Sequence, residues 1–269
     1  MQAGSTRSQE TLLEGLDEVL DAGVDAATLG SDLFGVVAML DREPTLRRVL
    51  TEPSVAAEAR AGMARSLLDG KVSDEAVRVV ESAVSQRWSR SRDLVDALER
   101  CAVIAETTRA DQAGELDALE DDLFRFGRIL AANTDLRDAL SDRAAPMEVK
   151  RTLLDSLVTG KVGEVTKHLL DQLLVGRQRS LAAGLAHYQE VTAARQQRLV
   201  ATVWVAAPLG DDQKSRLAES LATQYSHEVH LNVIVDTSVL GGVRVSIGDD
   251  VIDSTVETRL AQAQRRLVR

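Results

Sequence analysis

A self-comparison at an offset of 90 residues brings separate blocks of this chain into register without a gap. That repeat constrains the fold more than any other feature. Asp32-Leu33-Phe34 falls on Asp122-Leu123-Phe124, Leu46-Arg47 on Leu136-Arg137, Leu50 on Leu140, and Glu58 on Glu148. Ser66-Leu67 falls on Ser156-Leu157, Gly70-Lys71-Val72 on Gly160-Lys161-Val162, and Arg87 on Arg177. Two three-residue blocks at one fixed offset mark a tandem duplication. Within each copy the apolar residues recur at three and four, as in Leu29, Leu33, Val36, Val37 and Leu40, or Leu153, Leu154 and Leu157. That spacing gives amphipathic helices, so each copy is read as a small helical bundle.

The punctuation agrees with short connections. Gly70 and Gly160 follow apolar helical runs, where a left-handed residue closes a helix. Ser73 is placed to cap the helix after Val72, and Pro146 suits the first turn of a helix running to Val158. The polar stretch Thr107 to Ala113 interrupts an otherwise helical pattern, and the repeat boundary is placed there. The last helix of the second copy runs from Arg179 through Tyr188 and Val191 to about Gln197.

Beyond that point the period changes. Leu199 to Val205 is β-branched and partly alternating, which favours a strand closed by Pro208 and Gly210. Asp211 is placed to cap a helix carrying Leu217, Leu221 and Tyr225, and Val229 to Val235 returns to a strand pattern. Gly241-Gly242 turns the chain into Val243 to Ile247, an alternating strand, and Gly248-Asp249-Asp250 forms another turn. Ser254 to Glu257 has the form of a capping box for a final helix through Leu260, Ala263 and Leu267. Arg259, Arg265, Arg266 and Arg269 lie toward its end, where cations suit the helix dipole. The expected fold is mainly α: residues 1–107 and 108–197 as two helical-bundle repeats, then 198–269 as a small α/β domain.

The sequence carries no catalytic motif. A P-loop needs a Gly five residues before the Gly-Lys and a Ser or Thr after it; Arg65 and Asp155, then Val72 and Val162, stand there instead. Gly241-Gly242 precedes a strand, unlike a dinucleotide fingerprint. His227 and His230 are spaced to share a metal but have no third ligand nearby, and Asp249, Asp250 and Asp253 lack the length and glycine of a calcium loop. Cys101 sits in an apolar helical pattern with no His partner placed by motif, and a single cysteine excludes an intramolecular disulfide. Trp88 and Trp204 are read as core anchors, Trp88 also as a candidate for a partner groove. A net charge of −10 opposes nucleic acid and anionic lipid, which carry the same sign. No stretch reaches the roughly 20 apolar residues of a membrane span. Aromatic residues are only 3% of the chain, so its cores are packed with Leu, Val and Ala, as in helix-on-helix contact.

Four pieces of the C-terminal stretch carry a resemblance: Val203 to Leu209 ending Ala-Ala-Pro-Leu, the helix after Asp211, Val233-Ile234-Val235-Asp236, and the block from Leu240-Gly241-Gly242 through Ser246-Ile247-Gly248 to Ser254. In that order they resemble the delta subunit of bacterial F-type ATP synthases, and both helical copies resemble that family's N-terminal six-helix domain. The resemblance implies a subunit without an active site or cofactor. It implies alpha subunits held through N-terminal helices by a helical repeat, and b-type stalk subunits held by the C-terminal domain. It places the chain on the cytoplasmic face of the cell membrane, peripherally, its attachment running through separate b-type partners. Most members of the family carry one helical copy, and this chain has two. The second copy is expected in the family's usual place and the first as an extension of the stator; the alternative is a helical adaptor of another assembly.

Overall fold

The computed structural model describes residues 3–142, 144–175, 180–198, 200–207, 209–225, 229–236, 242–247 and 250–253. The chain divides into two compact units, residues 1–192 and 193–269. The first holds α1 (Ala3–Asp21), α2 (Ala26–Arg42), α3 (Pro44–Leu50), α4 (Ala57–Leu68), α5 (Asp74–Ser85), α6 (Ser91–Gln112), α7 (Leu116–Ala132), α8 (Thr134–Ser141), α9 (Met147–Val158), α10 (Glu164–Leu173) and most of α11 (Leu181–Arg198). The mainly helical class follows the sequence reading.

Helix boundaries repeat with the sequence. α7 and α9 lie ninety residues beyond α2 and α4 at both ends, and α8, α10 and α11 start ninety residues beyond α3, α5 and α6. The same shift carries α1 onto 93–111, inside α6. One long helix therefore serves as the last helix of the first copy and the first helix of the second. The polar stretch from Thr107 is therefore no break in the helical pattern: α6 continues through it to Gln112. The Thr107 hydroxyl donates to the Val103 carbonyl at 2.8 Å, so its polar group is satisfied one turn back and Thr107 is buried within α6. The chain turns instead at Gly114, whose φ is 70°.

The core of this unit is aliphatic. α2 packs along α6, with Leu29, Leu33 and Leu40 buried on one side and Leu94, Val95, Leu98 and Ala102 on the other. Each fully buried Leu or Val contributes roughly 1.5–3 kcal/mol of transfer free energy. The caps are local. Ser73 Oγ accepts from Ala76 N, as expected, and Asp25 accepts from Ala27 N and the Thr28 hydroxyl. Those bonds, the Thr28 hydroxyl first, hold the Asp25 carboxyl below the usual carboxylate range. Gly70 and Gly160 have φ of 67° and 71°. Each is the third residue of a type II turn, with Lys71 N donating to Leu68 O and Lys161 N to Val158 O, rather than a helix-terminal left-handed cap. Pro146 is the N-cap residue of α9, one position before its first turn.

In the second unit β1 (Val200–Val205), α12 (Asp211–Tyr225), β2 (His230–Val235), β3 (Val243–Ile247) and β4 (Asp250–Asp253) form a four-stranded sheet of order β2-β1-β3-β4 with one helix. β1 runs parallel to β2, as the α12 crossover requires, and antiparallel to β3. Val203, Val205, Leu221, Val229 and Val245 make its core. On the opposite face Trp204 is half-buried, with the Arg244 guanidinium 5.5 Å above its ring. Asp250 begins a fourth strand rather than ending a turn, pairing with Ile247. α12 opens at Gly210, where Gln213 Oε1 accepts from Gly210 N at 3.0 Å, so Asp211 is already helical. The expected final helix and its basic residues lie outside the described residues.

Candidate partner-binding surfaces

The residues weighed for chemistry have structural employment. Lys71 Nζ donates to Leu67 O at 2.8 Å and Lys161 Nζ to Leu157 O at 2.9 Å, so both lysines fold back onto the last turn of their own helices. Cys101 is fully buried, and burial pushes its thiol up to about 12. Trp88 is buried and its indole N–H donates to Ala83 O at 2.8 Å, which makes it a core anchor rather than part of a groove. Gly242 has a φ of 86°, as a turn glycine should; His230 lies in β2, and Asp250 and Asp253 bound β4. Gly241, His227 and Asp249 lie outside the described residues. Among the described residues no group of three His, Cys, Asp or Glu is placed to hold a metal.

What the sequence blocks do encode is a repeated clasp. Asp32 Oδ2 accepts from Ser73 N at 2.8 Å, tying α2 to the start of α5. Ninety residues on, Asp122 Oδ2 accepts from Gly163 N at 3.2 Å and from the Thr166 hydroxyl, tying α7 to the start of α10. In both copies a carboxylate meets the positive end of a helix dipole, a stabilising arrangement. A second device was not legible in the sequence. Arg60, buried in α4, donates only to carbonyls: Val84, Ser85 and Gln86 at the end of α5, and Glu52 and Val55 in the loop before α4. Its counterpart Lys150 is buried as well.

The two copies are locked together through three side chains that carried no sequence signal. Glu106, on the shared helix α6, is fully buried against α2, where a Cβ at Gly30 would lie 2.7 Å from its Oε1. Only glycine leaves room there. The same Oε1 lies 2.9 Å from His168 Nδ1 on α10, whose Nε2 is 3.1 Å from Gln172 Nε2; Arg109 lies 3.6 Å from the other carboxylate oxygen. Both ring nitrogens are used when Nδ1 donates to Glu106 and Nε2 accepts from Gln172, whereas Glu106 Oε2 is buried with no hydrogen-bond partner. The His168 ring meets Phe34 edge-on, centroids 5.8 Å apart.

Tyr188 on α11 completes the contact. It is 0% exposed, its ring centroid is 6.4 Å from that of Phe34, and its hydroxyl donates to Glu99 Oε1 at 3.2 Å. Phe34 belongs to α2 and Glu99 to α6, so a side chain from the second copy's last helix seats between two helices of the first. The equivalent groove of the second copy lies between α7 and α11. It is open, has a volume of about 360 Å³, and is lined by Phe124, Gly127, Leu185 and Gln189. Phe124 is 60% exposed, whereas its counterpart Phe34 is 4% exposed.

Comparison with known proteins matches residues 104–267 to the family model of the ATP synthase delta (OSCP) subunit. That span takes in the end of α6, the second copy and the sheet unit. Proteins named ATP synthase subunit delta are similar over nearly the whole chain. The Streptomyces avermitilis protein is 47% identical, with 94% of each chain covered. The Streptomyces coelicolor protein is 46% identical over 99% of this chain and 98% of its own, and that of Thermobifida fusca 41% identical over 99% of both. A chain from a Toxoplasma gondii mitochondrial ATP synthase hexamer aligns with 62% of this chain and 96% of its own at 19% identity; its TM-score of 0.33 is too low to bear on the fold.

Proposed function

Because the chain belongs to the ATP synthase delta (OSCP) subunit family, a family of structural, non-catalytic subunits, we propose that it links the alpha subunits of the catalytic head to b-type stalk subunits. It is a stator subunit of the F-type ATP synthase, and it holds the head still so that proton-driven rotation is coupled to ATP synthesis. The observation that carries this reading is similarity over both helical copies and the sheet unit together, at 46% identity over 99% of the chain.

The physical arrangement suits the task. A torque-bearing link needs bodies that do not shear, and the part-buried clasps at Asp32 and Asp122 and the buried one at Arg60 fix helix to helix through hydrogen bonds. Grooves between Leu- and Ala-rich helices accept an amphipathic partner helix through apolar contact alone. In this reading residues 1–107 and 108–197 arose by duplication and share α6, and 198–269 is the stalk-binding domain. The second copy, which with the sheet unit makes up the family match, receives the alpha subunit, and the first extends the stator. No helix among the described residues is long and apolar enough to cross a membrane. The subunit joins the membrane-bound complex peripherally, on the cytoplasmic face, through its b-type partners.

Deleting the gene and washing the membranes tests this. Proton-coupled ATP synthesis should fall and the catalytic head should be released into the wash, both restored by the full chain. Unchanged coupling and a retained head would refute the stator role. A complex in which only residues before about Thr107 touch the alpha subunits would refute the assignment of the second copy.

A further inference from the structure

α6 belongs to both copies, and its burial shows it. Between Asp93 and Ala110 it buries fourteen residues, spread over nearly its whole circumference. Asp96, Arg100, Ile104 and Arg109 are half-buried and form one narrow ridge at helical spacing. An ordinary surface helix buries a single stripe, so one copy alone would leave much of this helix bare. α6 packs against α1, α2, α3 and α5 on the first copy's side and against α7 and α10 on the second's.

Other contacts run directly from copy to copy. His168 of α10 meets Phe34 of α2 edge-on and lies 2.9 Å from Glu106, whose carboxylate is pressed against Gly30. Tyr188 of α11 sits by the same Phe34 and donates to Glu99. Arg109 lies 3.2 Å from Glu164 of α10, and Arg100 lies 3.7 Å from Glu190 of α11. If the second copy opened alone, buried Glu99 and Glu106 would lose the hydroxyl and the imidazole that meet them. If the first opened alone, Tyr188 and His168 would lose Phe34 and face water. The boundary between the compact units agrees, because it falls after Thr192 and not between the repeats.

We propose that the duplicated helical domain is one cooperative unit with α6 as its common core: the two copies open together, and a change made on one is felt by the other. Repeats joined by a weak interface open one at a time. Here the surface bared by opening either copy includes α6, which belongs to both. Duplication has therefore lengthened a rigid body instead of adding a second one on a hinge. The coupling rests on the packing alone; in the stator reading it is what lets the added copy carry load without flexing at the joint.

The test is amide hydrogen exchange of the full-length chain, read by mass spectrometry in denaturant just below the unfolding midpoint, where the slowest amides exchange through global opening. Leu33 and Leu123 stand at the same position of the two copies, on α2 and α7, and both are 0% exposed. Leu33→Ala and Leu123→Ala should each lower the protection factors of the slowest amides in α4–α5 and in α9–α10 by the same factor, about 30-fold or more. Val79→Ala on α5 and Val165→Ala on α10, both buried, repeat the comparison with a smaller loss if either leucine variant fails to fold. Quickening confined to the copy that carries the substitution, in either member of a pair, would overturn the proposal. So would a wild-type chain in which the slowest amides of the two copies differ in protection by more than about tenfold.

Discussion

Replacing Tyr188 separates the two ways in which α11 holds the first copy. Tyr188→Phe keeps the ring by Phe34 and deletes only the hydroxyl that donates to Glu99. Hydrogen bonds to charged groups contribute about 1.5–3 kcal/mol, and the 3.2 Å separation, long for an O–H donor, places this one near the lower end, at roughly 1.5 kcal/mol. For a unit of this size that corresponds to a fall in Tm of roughly 3–6 °C. Tyr188→Ala also removes a fully buried ring, so the cost rises to about 3–5 kcal/mol, or roughly 6–20 °C. The assay is thermal unfolding of the full-length chain followed at the helical circular dichroism band. In a Glu99→Leu background the Tyr188→Phe step should cost about 1 kcal/mol less, because the two side chains form one bond. If Tyr188→Phe matched the wild type and Tyr188→Ala cost less than about 1 kcal/mol, Tyr188 would not be seated between α2 and α6.

Gly70→Ala and Gly160→Ala should each lose about 1–2 kcal/mol, and by the same amount within error. Both glycines have φ near 70° with open space around a Cβ, so the cost is backbone strain alone; denaturant midpoints check this. Cys101 should resist a thiol reagent at pH 8 in the native protein and react at once in denaturant, because burial raises its pKa to about 12 and the thiolate is the reactive form. Lys167 is held above its ordinary pKa by hydrogen bonds to Asp155 and then Asp171. A raised amine pKa contributes stability below the unfolded value and loses it as pH climbs through the folded one. Lys167→Met should therefore cost at most about 1 kcal/mol at neutral pH, since the pair is partly exposed. That difference should shrink only at alkaline pH above the ordinary lysine range.

The repeat, the helical class and the change to a sheet unit were legible because each rests on pattern: apolar spacing, a fixed offset, and alternation. Asp32 and Asp122 stood in the matched blocks and turned out to clasp helix starts, so the matching residues were informative beyond homology. The shared helix was misjudged because Thr107 and Thr108 look like a break, yet the Thr107 hydroxyl bonds to its own helix and both residues lie buried at the junction of the copies. β4 was missed because Asp250 and Asp253 at its ends are poor strand residues, and pairing with β3 overrides that preference. Arg60, Glu106 and Tyr188 were invisible for another reason. A buried charge or hydroxyl is identified by partners 24, 62 and 89 residues away, which no local pattern records.

The stator role is tested most directly by mixing the full-length chain with the cognate alpha subunit and the soluble part of the b-type stalk, then passing the mixture through a sizing column. The account predicts that all three migrate together in one peak and that omitting this chain leaves alpha and b apart. Elution of the chain alone, clear of both partners, would contradict it.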